Sequence, residues 1–117
     1  MKVYTYQKCG TCRKATKWLN EQEIDFQEIP IREKPPSKKE LETMLKAYDG
    51  EIRRLFNTSG MDYRALGLKD KLPSMSKAEA FKLLSENGNL VKRPFLLTDS
   101  FKAVGFKESD WVEGLGG

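Results

Sequence analysis

The chain has 117 residues, of which 32% are charged and 38% hydrophobic, and it carries a net charge of +4 at pH 7. This length fits one domain with a single hydrophobic core. A membrane-spanning protein is excluded, because the longest strongly apolar run is residues 95–97 and a helical span needs about 20 apolar residues. The N-terminus lacks the apolar stretch of a secretory signal, so we expect a cytoplasmic protein, where structural disulfides are rare.

The first thirty residues predict a strand, a helix and a second strand. β-Branched and aromatic side chains at residues 3–6 favour a strand, and apolar residues at helical spacing predict a helix from residue 11 or 12 to about residue 21. The second strand is marked by Ile24, Phe26 and Ile29. Two strands joined by a helix within so few residues should be parallel, with a right-handed crossover.

The middle of the chain predicts a block of helices. Ser37 and Glu40 form a capping-box pattern, in which each side chain can satisfy a backbone donor of a helix start, and Gly50 suits the helix end. The same pattern recurs at Ser76, and Asn87-Gly88 ends that helix. Shorter helical segments are expected between them, at residues 51–56 and 63–66.

The C-terminal part predicts a β-hairpin followed by a helix. Residues 95–98 and 102–106 are rich in strand-forming side chains, and the tight connection between them indicates antiparallel pairing. A final helix is expected at residues 109–115.

Two cysteines lie where the first strand gives way to the first helix. Cys9 and Cys12 are the only cysteines, and the chain has no histidine. Residues 1–20 contain five lysine or arginine side chains and no carboxylate, so the excess positive charge surrounds these sulfurs. This charge is either an ordinary basic helix face or a field that favours thiolate and attracts anions.

Three interpretations of the cysteine pair remain open from the residues alone. A structural zinc site usually needs four protein ligands, so zinc would require ligands from another subunit or uncommon carboxylates, and we expect no metal. Both sulfurs could also be inert buried groups, which suits Cys12 on the apolar helix face better than Cys9 in the turn beside Lys8 and Gly10. The third interpretation is a redox pair, which this spacing favours after a strand and before a helix.

A redox pair at this position has a physical mechanism. The helix N-terminus presents unpaired N–H groups and a partial positive charge to Cys9, which favours its thiolate by about 0.3–2 kcal/mol. Further stabilisation of the thiolate would come from Lys8, Arg13 or Arg93. Cys9 is then the attacking thiol, and Cys12 resolves the mixed disulfide.

Motifs along almost the whole chain carry a family resemblance. They are Tyr6-x-x-Cys9-Gly10-Thr11-Cys12-Arg13-Lys14-Ala15, Pro35-Pro36-Ser37, Phe56-Asn57-Thr58-Ser59-Gly60, Tyr63-Arg64-x-Leu66-Gly67-Leu68, Lys92-Arg93-Pro94 and Val104-Gly105-Phe106. With them the chain resembles the arsenate reductase-like (ArsC/Spx) family. The resemblance implies an α/β thioredoxin-like fold over residues 1–117. Its mixed four-stranded sheet would carry a helical insertion, about residues 37–90, between the second and third strands, and Pro94 would be cis.

The resemblance also implies roles for individual residues. In the family's arsenate reductases the cysteine matching Cys9 attacks arsenate, and three arginines hold the oxyanion. Arg93 matches one of these arginines, while the other two positions are Asn57 and Phe106, so efficient arsenate reduction is not expected. The predicted catalytic residues are Cys9, Cys12 and Arg93. The predicted substrate- or anion-binding residues are Lys8, Gly10, Thr11, Arg13, Asn57 and Pro94.

Two functions follow from the resemblance. The first is a thiol–disulfide oxidoreductase that holds no bound cofactor and is recycled by glutathione and glutaredoxin or by a thioredoxin-type reductant. The alternative is a redox-sensing regulator like Spx, in which the position of Cys12 is also cysteine. Such a regulator would bind the RNA polymerase α subunit without catalytic turnover. Neither function requires direct contact with nucleic acid or a membrane.

Overall fold

The computed structural model describes residues 1–116 and contains a four-stranded mixed β-sheet. Its strands are β1 (Lys2–Thr5), β2 (Gln27–Pro30), β3 (Phe95–Leu97) and β4 (Lys102–Val104). The strand order is β2-β1-β3-β4, with β1 and β2 parallel and β3 antiparallel to both of its neighbours. The predicted parallel pair and C-terminal hairpin are therefore confirmed.

Helices cover both faces of this sheet. The α-helices of the described residues are α1 (Gly10–Glu21), α2 (Lys38–Ala47), α3 (Met61–Ala65), α4 (Leu68–Lys71), α5 (Lys77–Glu86) and α6 (Glu108–Leu115). Short 3₁₀-helices lie at Ile52–Leu55, Leu72–Ser74 and Gly88–Leu90. The helices between β2 and β3 form the predicted insertion, and both capping serines begin helices as expected.

The largest difference from the sequence prediction is the start of β2. Ile24 and Phe26 precede the strand, because residues 22–24 close the C-terminus of α1. Glu23 has a left-handed φ of 57°, and the N–H of Ile24 donates to the carbonyl oxygen of Leu19 at 3.0 Å. This Schellman-type ending uses backbone groups that the sequence pattern had assigned to a strand.

Smaller differences lie at element ends and in the insertion. β1 ends at Thr5, one residue before the predicted end, and α1 begins at Gly10. β4 ends at Val104, followed by Gly105 with a φ of 74°. The short helices at 68–71, 72–74 and 88–90 were not predicted, since segments of three or four residues carry no helical periodicity.

Two apolar clusters lie on opposite faces of the sheet, as the alternation of side chains along a strand requires. Tyr4 and Phe95 face the cluster formed with the helical insertion, where Leu41, Met44 and Leu84 are fully buried. The second cluster lies under α1 and α6, and its buried members are Val3, Ala15, Trp18, Leu19, Leu96 and Trp111. The sheet is thus a central layer between helices.

No helix among residues 1–116 combines the length and apolar character needed to cross a membrane.

Candidate active site

Cys9 is the N-cap residue of α1. Its backbone is extended, with φ −93° and ψ 116°, and its Sγ accepts a hydrogen bond from the backbone N–H of Cys12 at 3.4 Å. The N–H of Cys9 donates to the carbonyl oxygen of Tyr6 at 3.0 Å, and the Cys9 carbonyl oxygen accepts the first bond of the helix from Arg13 at 3.1 Å. These bonds hold the sulfur in front of the helix N-terminus.

This geometry changes two details of the sequence prediction. The turn lies at Gln7–Lys8, and Gly10 is already the first residue of the helix. Thr11, a predicted anion-binding residue, is exposed in the first turn of the helix, and the N-cap is Cys9 itself. A Cβ added at Gly10 would meet nothing within 4 Å, so the space beside this residue is open to a ligand.

The two thiols differ sharply in acidity. Burial opposes ionisation of Cys9, but hydrogen bonds from the thiol and backbone N–H of Cys12, together with the hydrogen bond and charge of Arg93, outweigh it and lower the Cys9 pKa. Cys12 is buried on the inner side of α1. That burial, reinforced by the neighbouring Cys9 sulfur, raises the Cys12 pKa to about 12. Both cysteines are free thiols, and ionisation is favoured at Cys9 over Cys12.

Arg93 lies beside these thiols and is held by an aromatic ring. Its guanidinium carbon lies 4.8 Å from the centroid of the Tyr6 ring. Its Nη1 is buried and has no hydrogen-bond partner among residues 1–116. The Arg93–Pro94 peptide bond is cis, as the resemblance implied, and Pro94 is buried.

The strand register explains why residues distant in the chain meet here. β1 and β3 pair with Tyr4 opposite Phe95, so Tyr6 and Arg93, each two residues beyond this pair, lie at the same end of the two strands. Because β1 and β2 are parallel, their C-terminal ends lie at the same edge, so Arg32 joins the group. Its Nη1 donates to the Tyr6 hydroxyl at 2.9 Å.

The remaining predicted anion-binding residues occupy different positions. Lys8 is exposed in the turn before Cys9, whereas Arg13 donates from Nε to the Gln7 carbonyl oxygen at 3.1 Å. Asn57 lies in the loop after the Ile52–Leu55 helix. Its backbone N–H donates to the Leu90 carbonyl oxygen at 2.7 Å, and its amide nitrogen contacts the Asn89 carbonyl oxygen at 3.5 Å. Asn57 therefore bonds to the segment that leads to Arg93.

Phe106 packs against the apolar cluster under α1 and α6 and adds no polar group to the region around Cys9. Its ring packs edge-to-face on Trp111 with centroids 4.8 Å apart, and lies 6.1 Å from Trp18. Lys102, two residues before Val104, donates from Nζ to the Asp99 carbonyl oxygen at 2.8 Å in the hairpin turn. Neither position supplies a guanidinium to the region around Cys9.

Sequence reasoning missed the roles of Tyr6 and Arg32. Tyr6 was assigned to the first strand, and Arg32 was not singled out. A usable signal was present, because Tyr6 is the first residue after β1 and Arg32 the second after β2, two strands predicted to be parallel. Ligand-binding groups of α/β sheets collect at that edge.

The described part of the chain, residues 1–116, contains no group of three or more histidine, cysteine, aspartate or glutamate side chains arranged to hold a metal ion. The chemistry available at the site is that of a nucleophilic sulfur, a second thiol and two guanidinium groups.

Comparison with known proteins gives a consistent family match. The model described as ArsC family matches residues 4–113. The chain is 51% identical over 111 residues to the uncharacterized protein YusI of Bacillus subtilis (strain 168), covering 94% of this chain and 93% of YusI. It is 32% identical over 109 residues to the global transcriptional regulator Spx of Enterococcus faecalis, covering 92% of this chain and 80% of Spx.

Solved structures match the fold closely. An ArsC family related protein from Bacteroides fragilis superposes with a TM-score of 0.88 at 39% identity, over 96% of each chain. A possible arsenate reductase from Streptococcus mutans UA159 gives a TM-score of 0.85 at 39% identity, over 93% of this chain and 94% of that one. The α/β thioredoxin-like fold with its mixed four-stranded sheet is thereby confirmed.

Proposed function

The chain belongs to the ArsC family, and from that premise we propose that it is a thiol–disulfide oxidoreductase with Cys9 as its nucleophile. The observation that carries the proposal is the asymmetry of the two thiols. Cys9 has a lowered pKa at a helix N-terminus beside Arg93, and the Cys12 thiol next to it has a raised pKa. An attacking thiolate paired with a protonated second thiol is the arrangement that disulfide exchange requires.

The first step is attack by the Cys9 thiolate on one sulfur of a substrate disulfide. A bond forms between Cys9 Sγ and that sulfur, the substrate S–S bond breaks, and the other half leaves as a thiolate. Arg93 favours the ionised nucleophile before the attack and can accompany the negative charge as it moves to the leaving sulfur.

The second step uses Cys12. Once Cys9 is bound in a mixed disulfide it no longer carries a charge, so its contribution to the raised Cys12 pKa disappears. Cys12 then loses its proton to solvent and attacks Cys9 Sγ, which releases the second substrate thiolate and forms the Cys9–Cys12 disulfide. Two electrons have passed from the cysteine pair to the substrate.

Two thiol groups, from two glutathione molecules or from one protein dithiol, must return those electrons and leave as a disulfide. We propose glutathione with glutaredoxin, or a thioredoxin-type protein, as the reductant, because either can attack a disulfide whose outer sulfur is partly exposed, as Cys9 is. No bound cofactor takes part in this cycle.

Arsenate is a poorer candidate substrate than a disulfide. Arsenate reductases hold the oxyanion with three arginines, and this chain has a counterpart to only one of them, Arg93. Phe106 packs against Trp111, and the Asn57 amide contacts the Asn89 carbonyl oxygen. A neutral amide and a phenyl ring cannot replace the bidentate, charged contacts of a guanidinium with an oxyanion.

Steady-state turnover tests this proposal. The protein should reduce a glutathione mixed disulfide with glutathione and glutaredoxin, or with thioredoxin and its reductase, as reductant. Cys9→Ser should abolish turnover, whereas Cys12→Ser should still form a mixed disulfide at Cys9 that mass spectrometry detects. Absence of turnover with both reductants, from a protein with two free thiols, would overturn the enzymatic proposal.

The second candidate function is a redox-sensing regulator without turnover. It is supported by the likeness to Spx of Enterococcus faecalis, a global transcriptional regulator, over 92% of this chain. In this case formation of the Cys9–Cys12 disulfide would change the affinity for a partner such as the RNA polymerase α subunit. Binding assays with purified α subunit and the reduced or oxidised protein distinguish the two functions, because only the regulator should bind in a redox-dependent way.

A further inference from the structure

We propose that Tyr6 and Arg32 are positioning residues that hold the Arg93 guanidinium beside Cys9 without neutralising its charge. The inference rests on the proposed role of Cys9 as the reactive thiol.

Two guanidinium groups contact the same aromatic ring. The guanidinium carbon of Arg93 lies 4.8 Å from the Tyr6 ring centroid, and that of Arg32 lies 5.0 Å from it. Both distances are within the range of a favourable cation–π interaction, which extends to about 6 Å. The ring therefore attracts both cations and brings two like charges to one aromatic side chain.

The environment of Arg93 lacks the partner that usually fixes a partly buried arginine. The ion pairs of residues 1–116 are Lys2–Glu40, Arg54–Glu51 and Lys77–Glu42, so no carboxylate in that range pairs with Arg93 or Arg32. Arg93 Nη1 is buried without a hydrogen-bond partner there. A carboxylate in this place would hold the guanidinium but would also cancel the field that stabilises a thiolate. An aromatic ring holds it and leaves the charge available.

Arg32 contacts the ring in turn, from a backbone segment that is packed on two sides. The N–H of Ile31 donates to the Thr5 carbonyl oxygen at 2.9 Å, and Ile31 is fully buried. On the other side the chain is pressed against Gly88, where an added Cβ would lie 1.8 Å from the Ile31 carbonyl oxygen and 3.0 Å from Arg32 Cα. From this anchored segment Arg32 Nη1 donates to the Tyr6 hydroxyl at 2.9 Å. The hydroxyl bond and the ring contact together restrict the orientation of Tyr6.

Tyr6 is also bonded to the nucleophile through the main chain. Its carbonyl oxygen accepts from the N–H of Cys9 at 3.0 Å, so the residue that carries the ring also sets the position of Cys9. Tyr6 thus connects the thiol, through its backbone, to the cation, through its side chain. Arg32, Tyr6 and Arg93 are the groups whose alteration should change how strongly the thiolate is favoured.

The experiment measures the pH dependence of Cys9 alkylation by iodoacetamide in the full chain, with Cys12→Ser as the common background so that one thiol titrates. Tyr6→Leu removes the ring and the hydroxyl, and should slow alkylation at pH 6.5 by about three- to tenfold and raise the apparent pKa. Tyr6→Phe keeps the ring and should retain most of the rate. Arg32→Met should slow alkylation by about two- to threefold, and its matched control Arg54→Met, which removes an arginine that contacts Tyr48 4.7 Å away, should have no effect.

A double-mutant cycle separates positioning from a merely structural role. If Tyr6 acts through Arg93, adding Tyr6→Leu to Arg93→Ala should change the apparent pKa no further than Arg93→Ala alone. Fully additive shifts would overturn the proposal, as would an unchanged pKa in a folded Tyr6→Leu variant. Should Tyr6→Leu not fold, an unchanged pKa in Arg32→Met would overturn it, and a raised pKa would support it. An ordinary pKa for Cys9 in the unmodified protein, with alkylation at Cys9 followed by mass spectrometry, would instead refute the proposed function.

Discussion

Two helices of this protein begin in nearly the same way but serve different purposes. At α1 the Sγ of Cys9 accepts from the N–H of Cys12 at 3.4 Å, and at α2 the Oγ of Ser37 accepts from the N–H of Glu40 at 3.1 Å. In both cases a side chain satisfies a backbone donor three residues ahead. The first turn of α1 contains no acidic residue, whereas that of α2 contains Glu40.

The carboxylate closes the start of α2 with internal partners. Glu40 accepts hydrogen bonds from the Ser37 N–H at 3.0 Å, the Tyr4 hydroxyl at 2.6 Å and the Lys2 ammonium group at 3.1 Å. The positive end of α2 is therefore neutralised within the fold, and the helix is tied to β1. The first turn of α1 has no acidic side chain, so its partial positive charge acts on the Cys9 sulfur and on any substrate bound there. A cap whose charge is satisfied internally stabilises the fold, and a cap that stays unneutralised can support chemistry.

Replacement of Cys9, the N-cap of α1, should have the largest effect on activity. In Cys9→Ser the helix keeps a good N-cap, so the free energy of unfolding should change by less than about 0.5 kcal/mol. Disulfide exchange should fall by at least about a thousandfold, because the hydroxyl is not ionised at neutral pH. Turnover assays and urea denaturation measure the two effects separately. A Cys9→Ser variant that keeps substantial activity would show that another group is the nucleophile.

Removal of the cation beside α1 should have the next largest effect. In Arg93→Ala the Cys9 pKa should rise, because a hydrogen bond and a positive charge that favour the thiolate are lost. Alkylation of Cys9 below neutral pH should slow by about tenfold. At high pH the rate should equal that of the unmodified protein, because Cys9 is then ionised in both proteins. Arg54→Ala is the matched control, since this arginine pairs with Glu51. Equal pH profiles for the two variants would contradict the role of Arg93.

Removal of the α2 cap should affect stability alone. Ser37→Ala should lower the free energy of unfolding by about 1 kcal/mol, because the N–H of Glu40 loses its acceptor at the helix start. The alkylation profile of Cys9 should stay as it is. Chemical denaturation gives the first quantity, and iodoacetamide kinetics give the second. A changed Cys9 profile in this variant would show that the two helix starts are coupled.

The smallest expected effect is a pH dependence of stability at Glu40. Burial opposes its ionisation, but the bonds from Tyr4, Ser37 and Lys2 outweigh burial and lower its pKa below the ordinary value of about 4.3. The ionised form is thus favoured by folding, and its contribution is present above that ordinary pKa and lost as the pH falls through the lower, folded-state pKa. Glu40→Gln should therefore be less stable than the unmodified protein at pH 7, by about 1 kcal/mol or less.

In acid the two proteins should become similar. Urea denaturation at a series of pH values between 7 and about 2.5 measures this convergence. A constant difference in stability at all pH values would show that the loss arises from packing rather than from the charge of Glu40.

Features set by neighbouring residues could be predicted from the sequence. Ser37 and Ser76 cap the starts of helices, and the Cys9-x-x-Cys12 spacing places the first sulfur at a helix start. The parallel pair and the hairpin follow from segment lengths and side-chain types. The start of β2 was missed because Glu23 adopts a left-handed conformation that few non-glycine residues favour.

The sequence by itself determined the order of helices and strands and the pair of thiols, since hydrogen bonds and side-chain periodicity within a few residues set these features. Only the tertiary structure decided which groups surround the thiols. The pairing of β1 with β3 carries Arg93 to Tyr6, the parallel pairing with β2 carries Arg32 there, and the packing of α6 takes Phe106 into the core. These contacts depend on strand register and helix packing between distant segments, which no local pattern of residues encodes.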